Sequence, residues 1–185
     1  MSVRTLKQAR AFVLRAKICG IFSSPAQGVQ CLWDVVDLPH RKPGEKGWGQ
    51  KVIAIWTWKN ELPATFPDEI FYGKIAGGRA VLMSIEYLRA TYYPKHHQSL
   101  SKCTPLARRI YQVIRFDPMT TGALRAELGM KQRPERSRFD RALQELQTTL
   151  NIARRNSLDD ENDTWVPFSE QYLDVVRRER PDGAE

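Results

Sequence analysis

At 185 residues, with 42% hydrophobic side chains and five tryptophans, the chain can fill one or two small cores and lacks the composition of a disordered protein. Its formal net charge of +8 favours a polyanionic partner. No apolar run approaches the roughly 20 residues that cross a bilayer, and the polar N-terminus does not read as a signal peptide. Three widely spaced cysteines, Cys19, Cys31 and Cys103, fit reduced thiols, so a cytoplasmic protein without membrane contact is expected.

The charge is unevenly spread. Residues 1–103 hold 15 Lys+Arg against 7 Asp+Glu, and residues 104–158 hold 11 against 5. Residues 159–185 reverse the sign, with 3 basic against 9 acidic.

In chain order, Thr5 to Cys19 has helical spacing, with Leu6, Ala9, Phe12, Val13 and Ala16 on one face and Gly20 as its stop. Ser23 to Gly28 reads as a loop, Val29 to Val36 as a short helix, and His40 to Gln50, rich in glycine, lysine and proline, as an exposed excursion. Lys51 to Leu62 alternates as a strand would, with Trp56, Trp58 and Asn60 on one side, Thr57, Lys59 and Glu61 on the other, and Pro63 as its end. Pro67 to Tyr72 is expected to be a turn or short helix, Gly73 to Gly78 a bend, Arg79 to Ile85 a strand, and Ser84 or Glu86 to Tyr93 a helix. Pro94 to Cys103 reads as a polar linker. These segments define an expected tryptophan-rich α+β domain over residues 1–100.

The second expected domain, residues 104–180, has the spacing of a winged helix-turn-helix. Thr104-Pro105 caps and opens a first helix with the stripe Leu106, Ile110, Val113 and Ile114, which Asp117-Pro118 ends. Thr120 or Thr121 starts a second, shorter helix with Leu124 and Leu128 four apart, and Gly129 suits a left-handed terminus. Lys131 to Pro134 turns into a third helix, Glu135 to Leu150, with Phe139, Leu143, Leu146 and Leu150 inward and Ser137, Arg141, Gln144 and Thr148 outward. Asn151–Arg155 and Thr164–Phe168 pair around a wing, Asn156–Asp163. Ser169 then caps a last helix to about Arg178, docked by Tyr172, Leu173 and Val176.

Residue chemistry makes the third helix a candidate recognition helix. Ser137, Arg138, Arg141 and Gln144 are types that bond base edges, and Lys131, Arg133, Arg136, Arg154 and Arg155 suit phosphates. Against this, Asp159, Asp160, Glu161 and Asp163 would repel a phosphate backbone and, with the acidic tail, could meet a basic protein instead. Trp56, Trp58 and Tyr72 form a candidate base pocket, with core packing as the ordinary alternative. Lys59 beside Glu61 is a candidate amine nucleophile with a proton-moving carboxylate, and a salt-bridged surface pair is the ordinary alternative. His96-His97 and Cys103 match no zinc spacing, and Gly73–Gly78 lacks a phosphate loop's Gly-Lys-Ser/Thr ending, so neither metal nor cofactor is expected.

Cys19-Gly-Ile-Phe22, Leu32-Trp33, Trp56-Thr-Trp-Lys-Asn-Glu-Leu-Pro63, Phe71-Tyr-Gly-Lys74, Leu106-Ala-Arg-Arg-Ile-Tyr111 and Arg138-Phe-Asp-Arg-Ala-Leu-Gln-Glu-Leu146 together resemble the AlkZ-related proteins. These are small relatives of winged-helix crosslink-repair DNA glycosylases. The resemblance covers nearly the whole chain and implies winged-helix domains that handle DNA, with the first half a candidate degenerate winged helix. The catalytic Gln-x-Gln or Gln-x-Asp pair of the larger glycosylases does not carry over, because the nearest string, Gln27-Gly-Val-Gln30, has one residue too many between its glutamines. Three functions are therefore open: a DNA-binding protein of duplex or damaged DNA, a reduced glycosylase, and a protein-interaction adaptor.

Overall fold

The computed structural model describes residues 2–158 and 163–177. The protein is mixed α and β with two small antiparallel sheets. By contact density the chain divides into two compact units, Met1–Tyr87 with Asn156–Glu161, and Leu88–Arg155 with Asn162–Glu185.

The first unit opens with α1 (Leu6–Ala16), whose cap Thr5 accepts from the Gln8 amide and whose buried face is Ala9, Phe12 and Val13. It ends three residues earlier than its periodicity predicts. Lys17 adopts φ +66 and Ile18–Gly20 becomes a strand, β1, so Cys19 lies in a sheet. A short α2 (Leu32–Val35) follows, starting later than expected, with the Asp34 carboxylate accepting from the Cys31 amide and thiol.

The largest correction concerns Gln50–Thr65, which is a 16-residue helix, α3, and not a strand. Its buried residues Lys51, Ile55, Trp58, Lys59, Leu62 and Pro63 recur at helical spacing. That stripe was present in the sequence, but β-favouring Val, Ile, Trp and Thr and an accidental alternation of tryptophans concealed it. Pro63 does not terminate the helix. It lies in the last turn, where its missing amide removes a single intrahelical bond and the Phe66 amide still closes the helix on the Leu62 carbonyl.

β2 (Ile70–Lys74), where a turn or helix was expected, pairs antiparallel with β3 (Ala80–Ser84), Tyr72 opposite Leu82. β3 also pairs with β1, giving the order β1-β3-β2, and α4 (Ile85–Tyr87) closes the unit. The core joins Phe12, Leu32, Ile55, Leu62, Ile70 and Leu82. Arg10 clamps Glu69 with two hydrogen bonds of 2.7 Å, tying α1 to the approach to β2.

The second unit begins with a π-type turn at Leu88–Tyr92 and α5 (Tyr93–His96). The expected linker is an ordered part of this unit. His97 stacks on Tyr93, Gln98 donates to the Thr149 carbonyl and accepts from Asn151, and Leu100–Lys102 forms a 3₁₀ turn before buried Cys103.

α6 (Pro105–Phe116) starts at the Thr104 cap and ends at Asp117, as the sequence implies. Met119–Thr120 is a short strand, β4, which spacing did not reveal because two residues carry no period. α7 (Thr121–Glu127) is capped by Thr120, and Gly129 reverses the chain at φ +68. α8 (Arg133–Thr148) buries Phe139, Ala142, Leu143, Leu146 and Gln147. It begins and ends two residues earlier than expected, and Leu150, at φ +56, turns the chain into β5 (Ile152–Arg154).

β5 pairs with β6 (Thr164–Pro167), which pairs on its other side with β4, giving the order β4-β6-β5. Trp165 Nε1 donates to Thr121 Oγ1 at 2.8 Å, pinning the sheet to α7. The expected last helix is two short ones, α9 (Phe168–Gln171) and α10 (Leu173–Val176). Phe168, Tyr172 and Val175 are buried, while Leu173, an expected docking residue, is exposed. Each unit thus runs helix, strand, helix, helix, strand, strand, with the last strand at the centre of its sheet.

Candidate nucleic-acid interface

α8 is anchored from one side only. Its apolar stripe fills the core of the second unit with Ile110, Ile114, Leu124, Ile152 and Trp165, so the helix cannot rotate without exposing Phe139 and Leu146. The same register turns Ser137, Arg138, Arg141 and Gln144 to solvent. Lys131, Arg133 and Arg136, at the start of the helix, are exposed as well.

Among the described residues, none of Lys131, Arg133, Arg136, Arg138 and Arg141 enters an ion pair. Two of the nearby acids have partners of their own. Asp140 pairs with Arg125 of α7, whose guanidinium also lies 5.4 Å from the Phe139 ring centroid. The Glu145 carboxylate accepts from the Thr104 amide at 2.8 Å and hydroxyl at 2.6 Å, which ties it to the start of α6. Between the start of α6 and α8 lies a mainly apolar cleft of about 430 Å³, lined by Thr104, Pro105, Leu106, Arg138, Arg141, Ala142 and Glu145.

The hairpin divides its expected contributors. Arg155 is exposed. Arg154 is only 5% exposed and its Nε donates to Asp163 at 2.6 Å, so this cation is committed within the hairpin. Asp159, Asp160 and Glu161, expected at the wing tip, and the tail from Arg178 onward lie outside the described residues.

In the first unit the helical geometry breaks up two expected groupings. Residues two apart on a helix lie about 200° around the axis from each other, so Trp56 and Trp58 face different ways. Trp58 is 8% exposed and packs in the core, while Trp56 is 47% exposed. Glu61 is separated from Lys59 by the same rotation. Lys59 is buried, donates to Asn60 Oδ1 at 2.8 Å, and lies over the rings of Trp56 at 4.2 Å and Tyr72 at 5.2 Å. Trp56, Tyr72 and Lys59 therefore meet, and Trp58 does not join them. Sequence reading missed Phe22 and Trp48, which lie beside Trp56; their separation along the chain gave no signal.

The remaining chemistry is limited. The thiols are buried and unpaired as disulfides; burial pushes Cys19 up to about 12 and also raises Cys31 and Cys103, which disfavours thiolate chemistry. His96 and His97 stack on Tyr92 and Tyr93. Among the described residues no group of three or more His, Cys, Asp or Glu side chains could hold a metal ion, and no helix is long and apolar enough to cross a membrane.

A family model described as AlkZ related matches residues 3–166, most of the chain. No curated protein and no solved structure matches it.

Proposed function

The chain belongs to the AlkZ-related family, relatives of DNA repair glycosylases, and on that premise we propose that it is a DNA-binding protein whose second unit is a winged helix gripping duplex DNA through α8. The order α6-β4-α7-α8-β5-β6, with a hairpin after the third helix, supports the winged-helix assignment. The observation that carries the function is the outward face of α8. Arg138 and Arg141 stand in solvent without acidic partners, next to base-reading types at Ser137 and Gln144, while Asp140 and Glu145 are already engaged.

Phosphate neutralisation by Lys131, Arg133, Arg136 and Arg155 would supply sequence-independent affinity, with Arg138, Arg141 and Gln144 nearest the groove. Arg154 is left out of this interface because Asp163 holds it. The expected pairing of Lys59 with Glu61 does not support a catalytic reading, because Lys59 is buried against the rings of Trp56 and Tyr72 and lies about 200° around the helix from Glu61.

Fluorescence anisotropy on a labelled duplex over roughly 50 to 200 mM salt tests this. Log affinity should fall linearly with log salt, by about 0.9 per phosphate contacted; Arg138→Ala with Arg141→Ala should weaken binding, and the double substitution Arg133→Ala/Arg136→Ala should reduce that slope by about 2. No complex with any duplex at low salt, or an unchanged slope in the Arg133→Ala/Arg136→Ala variant, overturns the proposal.

A further inference from the structure

Outside α8, the most unusual surface is a cluster of exposed rings on the first unit. Trp48 is 60% exposed, Trp56 47% and Phe22 40%, and Ile53 beside them on α3 is also exposed. Large apolar rings gathered in solvent carry a hydration cost that a monomer ordinarily avoids by burying them. These rings are ordered against one another. Phe22 lies near-parallel to Trp56, centroids 6.4 Å apart, and Trp48 stands edge-on to Trp56 at 5.7 Å and 67°. The pair Trp48 and Trp56 makes a corner with one ring as floor and the other as wall.

The corner is built from beneath. Lys59 Nζ lies 4.2 Å from the Trp56 centroid, and Trp33, next to Phe22, is held by Lys51 Nζ at 4.6 Å and by His40 at 5.4 Å. The excursion that carries Trp48 is closed at its base. Lys51 donates its amide to the Pro39 carbonyl, and Gly49 passes so close to His40 and Arg41 that a Cβ there would collide with the Arg41 amide nitrogen. The same excursion exposes Arg41, Lys42 and Lys46 against a single acid, Glu45.

We infer that Phe22, Trp48 and Trp56 form a stacking platform for unpaired bases of a single-stranded nucleic acid, with Arg41, Lys42 and Lys46 meeting its phosphates. Exposed π-faces combined with flanking cations are what a single strand offers complements to: every base has a flat face, and every linkage a negative charge. A duplex does not fit the corner, because its bases are already stacked on one another. A second copy of this chain is disfavoured, since a two-fold contact would bring the loop cations against their own images. This platform is built by residues of the first unit alone, without α8.

The test uses the full chain with two strands of equal length, oligothymidine and the same backbone lacking bases, read by anisotropy and by quenching of tryptophan fluorescence. Oligothymidine should bind more tightly than the abasic strand and quench the emission. Trp48→Ala, a change at a mostly solvated ring, should weaken oligothymidine binding at least roughly fivefold, Trp48→Phe should restore most of it, and duplex affinity should stay unchanged. If Trp56→Ala fails to fold, Trp56→Leu serves in its place and should weaken the single strand likewise. Equal binding of both strands, or Trp48→Ala affinity within about twofold of wild type, overturns the platform. So does a Trp48-dependent self-association with unaltered strand affinity. Loss of duplex binding in the Arg138→Ala/Arg141→Ala protein with the single-strand result intact separates the two surfaces.

Discussion

The two units run through the same order of elements and place the last strand at the centre of the sheet, yet their third helices, both 16 residues long, present opposite chemistry. α8 is amphipathic, with a buried apolar stripe and an outer row of arginines, serine and glutamine. α3 buries two lysines on its inner face and shows Ile53 and Trp56 to solvent. A common topology needs only an inward stripe at helical spacing; what the outward positions carry is unconstrained by the core and is therefore where function can diverge. Sequence similarity between the units is not needed for this, since many sequences satisfy one inward pattern.

The comparison can be broken first at its cores. Ile55→Ala in α3 and Phe139→Ala in α8 each remove a fully buried side chain, and should cost about 2–5 and 3–5 kcal/mol respectively in urea unfolding. A cost under about 1 kcal/mol for either would show that its helix is not held by the stripe described.

Next in size is Gly49→Ala, whose new Cβ meets backbone atoms of His40 and Arg41 that cannot yield. A loss of about 1–3 kcal/mol in thermal unfolding is expected, together with altered Trp48 fluorescence. The helix caps sharpen the contrast further. Thr104 caps α6 and also bonds Glu145, whereas Thr5 only caps α1. Thr104→Ala should therefore cost about 1–2 kcal/mol and exceed Thr5→Ala, at about 1 kcal/mol or less. Equal values would mean that the Glu145 contact contributes nothing.

Gly122→Ala in α7 should go the other way. The nearest atom to its added Cβ is Thr120 Oγ1 at 3.9 Å, and the residue is helical, so stability should rise by about 0.4–1 kcal/mol. The smallest effect is a pH dependence of the first unit. Hydrogen bonds from Arg10 lower Glu69, those from Arg4 lower Asp37, and those from Cys31 lower Asp34. Groups depressed on folding stabilise fully above the unfolded carboxylate value of about 4, and that contribution is lost as pH falls below it. Glu69→Gln should flatten the acid limb of the stability curve measured through tryptophan emission; an unchanged limb would remove Glu69 from the account.

Much of the second unit was legible in the sequence. Thr104-Pro105, Asp117-Pro118 and Gly129 are local signals, and each marks a boundary through its own backbone chemistry without help from distant residues. The outward arginines of α8 were legible for the same reason, since a strong apolar stripe fixes the opposite face. The first unit was harder. In α3 the surface tryptophan and the buried one sit two apart, which reads as alternation, and the buried lysines disguise the inward stripe. β4 was too short to carry a period, and the segment from Pro94 to Cys103 looked like a linker because its partners Thr149 and Asn151 lie some fifty residues away.

By itself the sequence determined the family, the basic balance, the helix caps and the inward stripe of α8, all of which follow from residue type and local spacing. Tertiary structure decided that Trp58 is core while Trp56 joins Phe22 and Trp48 in solvent, that Arg154 belongs to Asp163, that Asp140 pairs with Arg125 and that Glu145 bonds the start of α6. Those outcomes depend on which distant segments pack together, and no periodicity within one segment encodes the partner it will meet.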